Sequence, residues 1–254
     1  MRYLLLLLSV VMCCSCSGEQ PAPPAKASQE LLLFVGITMI DPVKELMTMF
    51  EQQTGVKLTM SYGGSADLLQ SVTLNKTGDI YFPGVESFIA EADKLGVLKD
   101  RKQVGINQAA LFVRKGNPLG LSGDLAELVR PDVHVAIGHP DLGSVGKEAK
   151  RILQASGVYD QVVAASAMMQ PDSKGLSSVL REGKVDVVLN WKAVQFFGDN
   201  AQYMDVLPIK GGAATEHKLT MAVTAYSKDT ALAQRFLDLC ASAEGRAVFQ
   251  RYGF

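Results

Sequence analysis

From residue 31 onward, short apolar runs alternate with stretches in which apolar positions recur every three or four residues. Residues 31–37 form an unbroken apolar run, the pattern of a strand buried on both faces. Asp41-Pro42 then reads as a helix start, with Val43, Leu46, Met47 and Phe50 at helical spacing and Gly55 as the stop. Asp41 is expected to point along that helix as its cap. The pattern continues with a strand over 56–61, a helix from Ser65 through Leu68, Leu69 and Val72, a strand over 79–82 and a helix over 86–95. Further on it predicts a strand over 133–137, helices over 146–155 and 173–181, a strand over 185–189 and C-terminal helices over 229–250. Such alternation predicts parallel sheets with helices on both faces. Two longer β-like stretches, 106–114 and 219–226, are read as crossovers between two lobes. The expected architecture is therefore α/β and two-lobed, each lobe a mainly parallel sheet flanked by helices, with a ligand cleft between them. Lobe 1 takes 30–113 and 222–254, and lobe 2 takes 114–221.

The first residues follow another pattern. The run 3–14 carries no charge, follows Arg2 and leads into Cys13-Cys14-Ser15-Cys16. It is too short to span a bilayer, which takes about 20 apolar residues. A positive start, a short apolar stretch and a small residue before the cut describe a secretory signal over 1–15. A cysteine just past the cut resembles a bacterial lipoprotein signal, with Cys16 as the lipid-bearing residue and Cys14 as the alternative; cleavage without lipid is the other reading. Residues 16–29, polar and proline-rich, are expected to be a tether that holds the folded part off the membrane.

Composition narrows the function. The chain has 254 residues, 48% of them hydrophobic, so disorder is excluded for most of it. With 25 Lys and Arg against 26 Asp and Glu, it lacks the basic excess of a nucleic-acid binder. Removal of 1–15 takes away Arg2 and leaves a net charge of −2. It also leaves Cys240 as the sole cysteine beyond Cys16, so no internal disulfide is expected, and its apolar helical surroundings predict a buried thiol.

Candidate chemistry lies where strands give way to helices, because ligands bind there in open α/β sheets and helix N-termini favour anions. Four such junctions are rich in small and hydroxyl residues: Gly36-Ile37-Thr38, Tyr62-Gly63-Gly64-Ser65, Gly143-Ser144-Val145-Gly146 and Pro171-Asp172-Ser173-Lys174-Gly175. Each can offer backbone N–H groups and hydroxyls with no side chain in the way. Taken singly each is also an ordinary helix cap.

From residue 31 to Phe254 the chain resembles the periplasmic molybdate-binding proteins of ABC transporters, within the wider bacterial solute-binding proteins. The resemblance is carried by 34–43, by Phe50-Glu51-Gln52-Gln53-Thr54-Gly55-Val56, by Ser61-Tyr62-Gly63-Gly64-Ser65 and by Thr77-Gly78-Asp79-Ile80. It continues through Val135-Ala136-Ile137-Gly138-His139-Pro140, Gly146-Lys147-Glu148-Ala149 and the ending Phe249-Gln250-Arg251-Tyr252-Gly253-Phe254. It implies a periplasmic-binding-protein fold, no catalysis and no cofactor. The implied ligand is a tetrahedral oxyanion, molybdate or tungstate first, held by neutral donors. On the matching positions these donors are the hydroxyls of Thr38 and Ser65 and the backbone N–H groups of Val145 and Ser173. Asn190 stands where the family commonly has a tyrosine, and its amide is the replacement donor. Pro83-Gly84-Val85-Glu86 stands where a small residue followed by Asp is usual. The implied partners are an ABC permease and its ATPase, reached from the membrane by a lipid anchor. The protein is expected to act as a monomer in the periplasm or cell envelope.

Other readings remain beside this one. A different oxyanion, or a phosphorylated or carboxylated solute, would suit the same junctions. An envelope hydrolase with Ser65 as nucleophile would need a general base, and the sequence nominates none. His134 and His139 lie five apart around a strand end, which is no metal-ligand spacing on one face, so no cation site is expected. Glu91 and Asp93 are expected to be solvated on an exposed helix. Trp191, Tyr159 and Tyr203 are expected to pack rather than bind.

Overall fold

A computed structural model describes residues 30–165, 168–212 and 216–254. Cys16, Cys14, the expected signal over 1–15 and the whole of the tether lie outside the described residues.

The chain begins with β1 (Glu30–Gly36), a 3-10 turn over Ile37–Met39, α1 (Ile40–Thr54), β2 (Lys57–Gly63), α2 (Ser65–Asn75), β3 (Ile80–Phe82) and α3 (Glu86–Lys94). A long strand, β4 (Leu98–Arg114), leads to β5 (Val135–Gly138), α4 (Ser144–Ala155), α5 (Tyr159–Ala165), β6 (Met168–Gln170), α6 (Ser173–Arg181) and β7 (Val187–Trp191). Then come α7 (Asn200–Tyr203), β8 (Met204–Leu207), β9 (Glu216–Thr224), α8 (Thr230–Ala241) and α9 (Ala243–Arg251).

The strands run in the order β2-β1-β3-β9-β4-β7-β5-β6, with β8 also on β4. Each end of this path is a parallel triplet: β1 pairs with β2 and β3, and β5 pairs with β6 and β7. The crossing strands join antiparallel. β9 pairs with β3 and with β4 from Leu98 to Gln108, and β4 then pairs with β7 from Ala109 and with β8 from Leu111. One continuous strand thus serves both lobes.

Period-two alternation divides the core of lobe 1. Leu31, Leu33, Val35, Ile80, Phe82 and Val223, with Leu219 and Met221 on the crossing strand β9, face the apolar sides of α1, α8 and α9, including Phe50, Phe236 and Phe249. Phe34, Tyr81 and Ala222 face the other way, onto Leu68, Leu69 and Val72 of α2 and Ile89 of α3. That second layer is continuous with the core of lobe 2, where Phe112 of the crossing strand β4 joins Val135, Ile137, Val187 and Leu189 against Ile152 and Leu176. Cys240 is fully buried, and burial pushes its thiol well above the ordinary value, so it is a packing residue. The C-terminus is tied down: Phe254 is buried edge-on to Phe249 and Arg251 pairs with Glu45.

Several sequence expectations are corrected. Asp41 does not cap α1, because the chain turns at Ile37 and the helix is under way when Asp41 arrives; its exposed carboxylate makes no cap hydrogen bond. The strand foreseen over 106–114 starts at Leu98, since Lys99 to Gln103 are polar and only pairing with β9 makes them a strand. Helix α4 begins at Ser144 rather than Gly146, with Gly143 as the residue before the first turn. Short β6 and β8 and the helices α5 and α7 had no readable period. Glu91 and Asp93 are half exposed but not simply solvated: Asp93 lies 3.0 Å from Arg101 and Glu91 lies 3.8 Å from Lys147.

A candidate anion site between the lobes

A small cavity is lined by Gly36, Ile37, Thr38, Gly63, Gly64 and Ser65 from lobe 1 and by Gly143, Ser144, Val145, Asp172 and Ser173 from lobe 2. All four glycine- and hydroxyl-rich junctions meet there. The space is tight, about 10 Å³, the room one water-sized centre requires. Two larger hollows, of about 570 and 540 Å³, lie near Asp79 and Tyr226 and along the flank of α6, and neither gathers these junctions.

Each segment that reaches the cavity does so by its N-terminal end. The residues before the first helical position are Gly36, Gly64, Gly143 and Asp172. Helix N-termini carry N–H groups with no intrahelical acceptor and a partial positive charge. Ser, Thr, Asp or Asn usually satisfy them. Here Gly36, Gly64 and Gly143 supply no side-chain cap, so those groups are not spent inside the protein. Asp172 does cap, accepting from the N–H of Lys174 at 2.8 Å and of Gly175 at 2.9 Å, so its charge is spent on its own helix while the first helical residue is Ser173.

The hydroxyls have protons to give. Ser65 Oγ accepts from the Gly84 N–H at 3.1 Å, and its own proton is uncommitted. Ser144 Oγ accepts from Trp191 Nε1 at 3.3 Å in the same way. Thr38, 3% exposed, has only the weak acceptor Met39 Sδ, 3.0 Å away. A hydroxyl whose lone pair is occupied by an N–H is held with its proton available, which suits an acceptor-only guest.

A second layer holds these groups. Tyr81 Oη donates to the Ser65 carbonyl at 2.9 Å, and burial pushes its phenol far up, so it stays protonated. Asn107, on β4 at the crossing between lobes, donates to the Gly84 carbonyl at 3.1 Å, and that fixes the amide facing Ser65. In lobe 2, Asn190 Nδ2 donates to the Ser173 carbonyl at 3.0 Å and approaches Ser177 Oγ at 3.4 Å, while its Oδ1 accepts from the Trp191 N–H at 2.9 Å.

Thr38, Ser65, Val145 and Ser173 therefore meet around one space. Asn190 does not line it; it is fully buried behind α6, with its amide committed to neighbouring groups. Ser144, Gly84 and Asn107 were missed as individual residues. Ser144 lay inside a junction already flagged, next to Val145; Gly84 was noted only as part of a departure from the resembled family, and nothing local marked Asn107.

The lobes touch around the cavity. A Cβ on Gly64 would collide with the Leu142 carbonyl oxygen, and one on Gly84 would collide with Ser144 Oγ. Both glycines are on lobe 1 and both obstacles are on lobe 2, so closeness across the cleft is the reason for glycine. Among the described residues no group of three or more His, Cys, Asp or Glu side chains is placed to hold a metal ion, and no helix is long and apolar enough to cross a membrane. No imidazole or carboxylate is hydrogen-bonded to Ser65 Oγ among the described residues. Trp191 is fully buried, and Tyr203 is an exposed residue beneath the Arg181 guanidinium.

The family model described as bacterial extracellular solute-binding protein matches residues 31–254. A binding protein of Haemophilus influenzae is 26% identical over 230 residues, covering 89% of this chain and 90% of its own length. The molybdate-binding protein ModA of Mycobacterium tuberculosis is 22% identical, covering 98% of this chain and 94% of its own. The structure of the sulfate-binding protein SubI from the same organism superposes with a TM-score of 0.79 at 20% identity, covering 89% of this chain and 86% of that one. At that identity the likeness is one of fold.

Proposed function

This chain belongs to the bacterial extracellular solute-binding proteins, and on that premise we propose that it captures a tetrahedral oxyanion, molybdate or tungstate first, and delivers it to an ABC permease with its ATPase. Lobe 1 (30–113 and 222–254) and lobe 2 (114–221) would close on the anion. Thr38, Ser65, Ser144, Val145 and Ser173 would donate to it, with Asn190 fixing Ser173 from behind. A lipid on Cys16, or on Cys14, would tether the protein to the membrane from the periplasmic side.

One observation carries this reading: helix N-termini from both lobes converge on one small enclosed space, and three of them are left uncapped by glycine. A dianion is the natural partner of unspent N–H groups. Neutral donors suffice because the lobes exclude water around it, and a hydrogen bond to an ion strengthens as water is removed. A set of donors without an inward acceptor also penalises an anion that still carries a proton, since its O–H would face another donor.

Sulfate is the second reading, because the donor set senses charge and shape rather than the central atom. Ser65 as a hydrolytic nucleophile is the distant third, and the missing base weighs against it. Calorimetric titration with molybdate, tungstate, sulfate and phosphate decides among the anions. Micromolar binding of molybdate or tungstate with sulfate at least a hundredfold weaker is the expected result. Tight sulfate binding alone would move the assignment to the second reading, and turnover of a phosphoester lost in Ser65→Ala would overturn the binding role.

A further inference from the structure

Lobe closure is held by more than the anion. Helices α4 and α6 both begin at the cavity, and each carries, within its first turn or just past it, a lysine that reaches across the cleft to an aromatic ring of lobe 1. Lys147, three residues after Ser144, places Nζ 4.3 Å from the centre of the Phe88 ring and 3.8 Å from Glu91 Oε2. Lys174, one residue after Ser173, places Nζ 5.6 Å from the centre of the Tyr62 ring. Neither lysine lines the cavity. The two contacts flank it instead, one on α3 and one at the end of β2.

We propose that Lys147 and Lys174 are a pair of cation–π latches that set how long the anion stays bound, acting through the closed state of the cleft rather than by touching the ligand. This rests on the reading of the cavity as an anion site between closing lobes. The lysines are rigidly linked to the ligand through their helices: the backbone that gives N–H groups to the anion is the backbone that carries the latch. When the lobes part, both rings are lost to both ammonium groups at once, and the lysines return to water. Because each contact is made in the closed form alone, it multiplies the closed-to-open ratio and so slows release. Attraction of a lysine to a ring face is moderate at a half-exposed site, so the pair should be worth about tenfold in release rate and each latch about threefold.

A lysine near an anion site has a competing use, to steer the anion inward, and that use would appear in the association rate and vanish at high salt. Stopped-flow measurement separates the two, with the single tryptophan, Trp191, bonded to Ser144, as the optical reporter. Sodium molybdate is the probe, and whichever anion of the panel above binds most tightly replaces it if molybdate does not bind. In 0.5 M salt, about fifty times the screening concentration for a 30 Å Debye length, Lys147→Met with Lys174→Met should raise the dissociation rate about tenfold and leave association within about twofold. Lys147→Arg with Lys174→Arg should restore slow release. Tyr62→Leu carries no charge change and should speed release as much as Lys174→Met does, with no further gain when the two are combined. Unchanged release in the double methionine variant, or an effect confined to association, would overturn the latch. If none of the four anions binds, the proposed function falls while the latch is still decided by small-angle scattering. The ligand-free double variant should then show a larger radius of gyration than the parent at equal melting temperature, and equal radii would overturn it.

Discussion

Helices α2 and α4 point their N-termini at the cavity, and α8 and α9 begin on the outside of lobe 1. The outer pair is capped in the ordinary way: Asp229 accepts from the Leu232 N–H at 2.9 Å and Ser242 accepts from the Gly245 N–H at 3.1 Å. The inner pair has Gly64 and Gly143 in the same place and no side-chain cap. Glycine at this position costs a helix only a few tenths of a kcal/mol relative to a capping side chain, so the N–H groups are left open to the cavity at small expense to the fold. The outer helices take their acceptor from their own sequence; the inner ones are left to take it from a ligand. Helix α6 stands between the two cases, since Asp172 satisfies Lys174 and Gly175 and leaves Ser173 at the cavity wall.

The largest test of this contrast is to make an inner helix like an outer one. Gly143→Asp should cap α4, change the melting temperature by no more than about 1 °C because its Cβ also presses on the Pro171 carbonyl oxygen, and weaken oxyanion binding more than a hundredfold by placing a carboxylate where the anion belongs. A calorimetric scan with a parallel anion titration reads both effects, and a folded variant that still bound the anion as the parent does would break the comparison. Gly64→Ala comes next: the new methyl group meets the Leu142 carbonyl across the cleft, so affinity should drop about a hundredfold with the lobes themselves intact. A crystal or scattering profile of that variant should show a cleft that no longer closes on the anion.

Smaller effects refine the picture. Ser65→Ala and Ser144→Ala each remove one hydroxyl donor and should cost about tenfold in affinity; each hydroxyl also accepts from a buried N–H, of Gly84 and of Trp191, so a loss of about 1 kcal/mol in stability should accompany it. Asn190→Ala should behave in the opposite proportion. It leaves the buried Ser173 carbonyl and the Trp191 N–H without their partners, so destabilisation of about 2 kcal/mol should be clearer than the loss of affinity. Thermal melts paired with titrations distinguish donor from support.

The smallest effect concerns pH. Burial opposes the charge of Glu148, but the Arg151 guanidinium at 2.6 Å and the His217 ring at 2.8 Å outweigh it and hold the carboxyl below its ordinary value of 4.5. A carboxyl lowered in the folded state adds stability above its unfolded pKa, and that stability is lost as pH falls through the folded value. Melting temperature measured from pH 7 down to about 3 should therefore fall less steeply in Glu148→Gln than in the parent, starting from a lower value at pH 7.

Legibility differed between the two kinds of region. The inner strands of the parallel triplets, β1, β3, β5 and β7, were visible because strands with little exposed surface are written in Leu, Val, Ile and Phe, as in 31–35 and 187–189, whereas edge strand β6 was not. The four junctions were visible because glycine beside a hydroxyl residue is a local signal. Residues 98–103 were not, because a strand of charged residues owes its state to its partner β9. Asp41 misled because Asp-Pro is a cap in most settings, and here the chain had already turned at Ile37. Gly84 was noted only as part of a departure from the resembled family and Asn107 left no trace, since Gly84 matters through Ser65, 19 positions away, and through Ser144 on the other lobe, and Asn107 matters through Gly84.

By itself the sequence determined the local states: which runs are strands and helices, where small residues break them, and that no charge excess is available to hold an anion. Those properties follow from the residue and its near neighbours, through propensity, periodicity and the conformational freedom of glycine. The tertiary structure decided convergence. Only the crossing of β4 and β9 brings four helix starts to one space, turns Asn190 from donor to support, and sets Lys147 and Lys174 against Phe88 and Tyr62. Each of these depends on groups that lie far apart in sequence, or on different lobes, and meet only when the chain is folded.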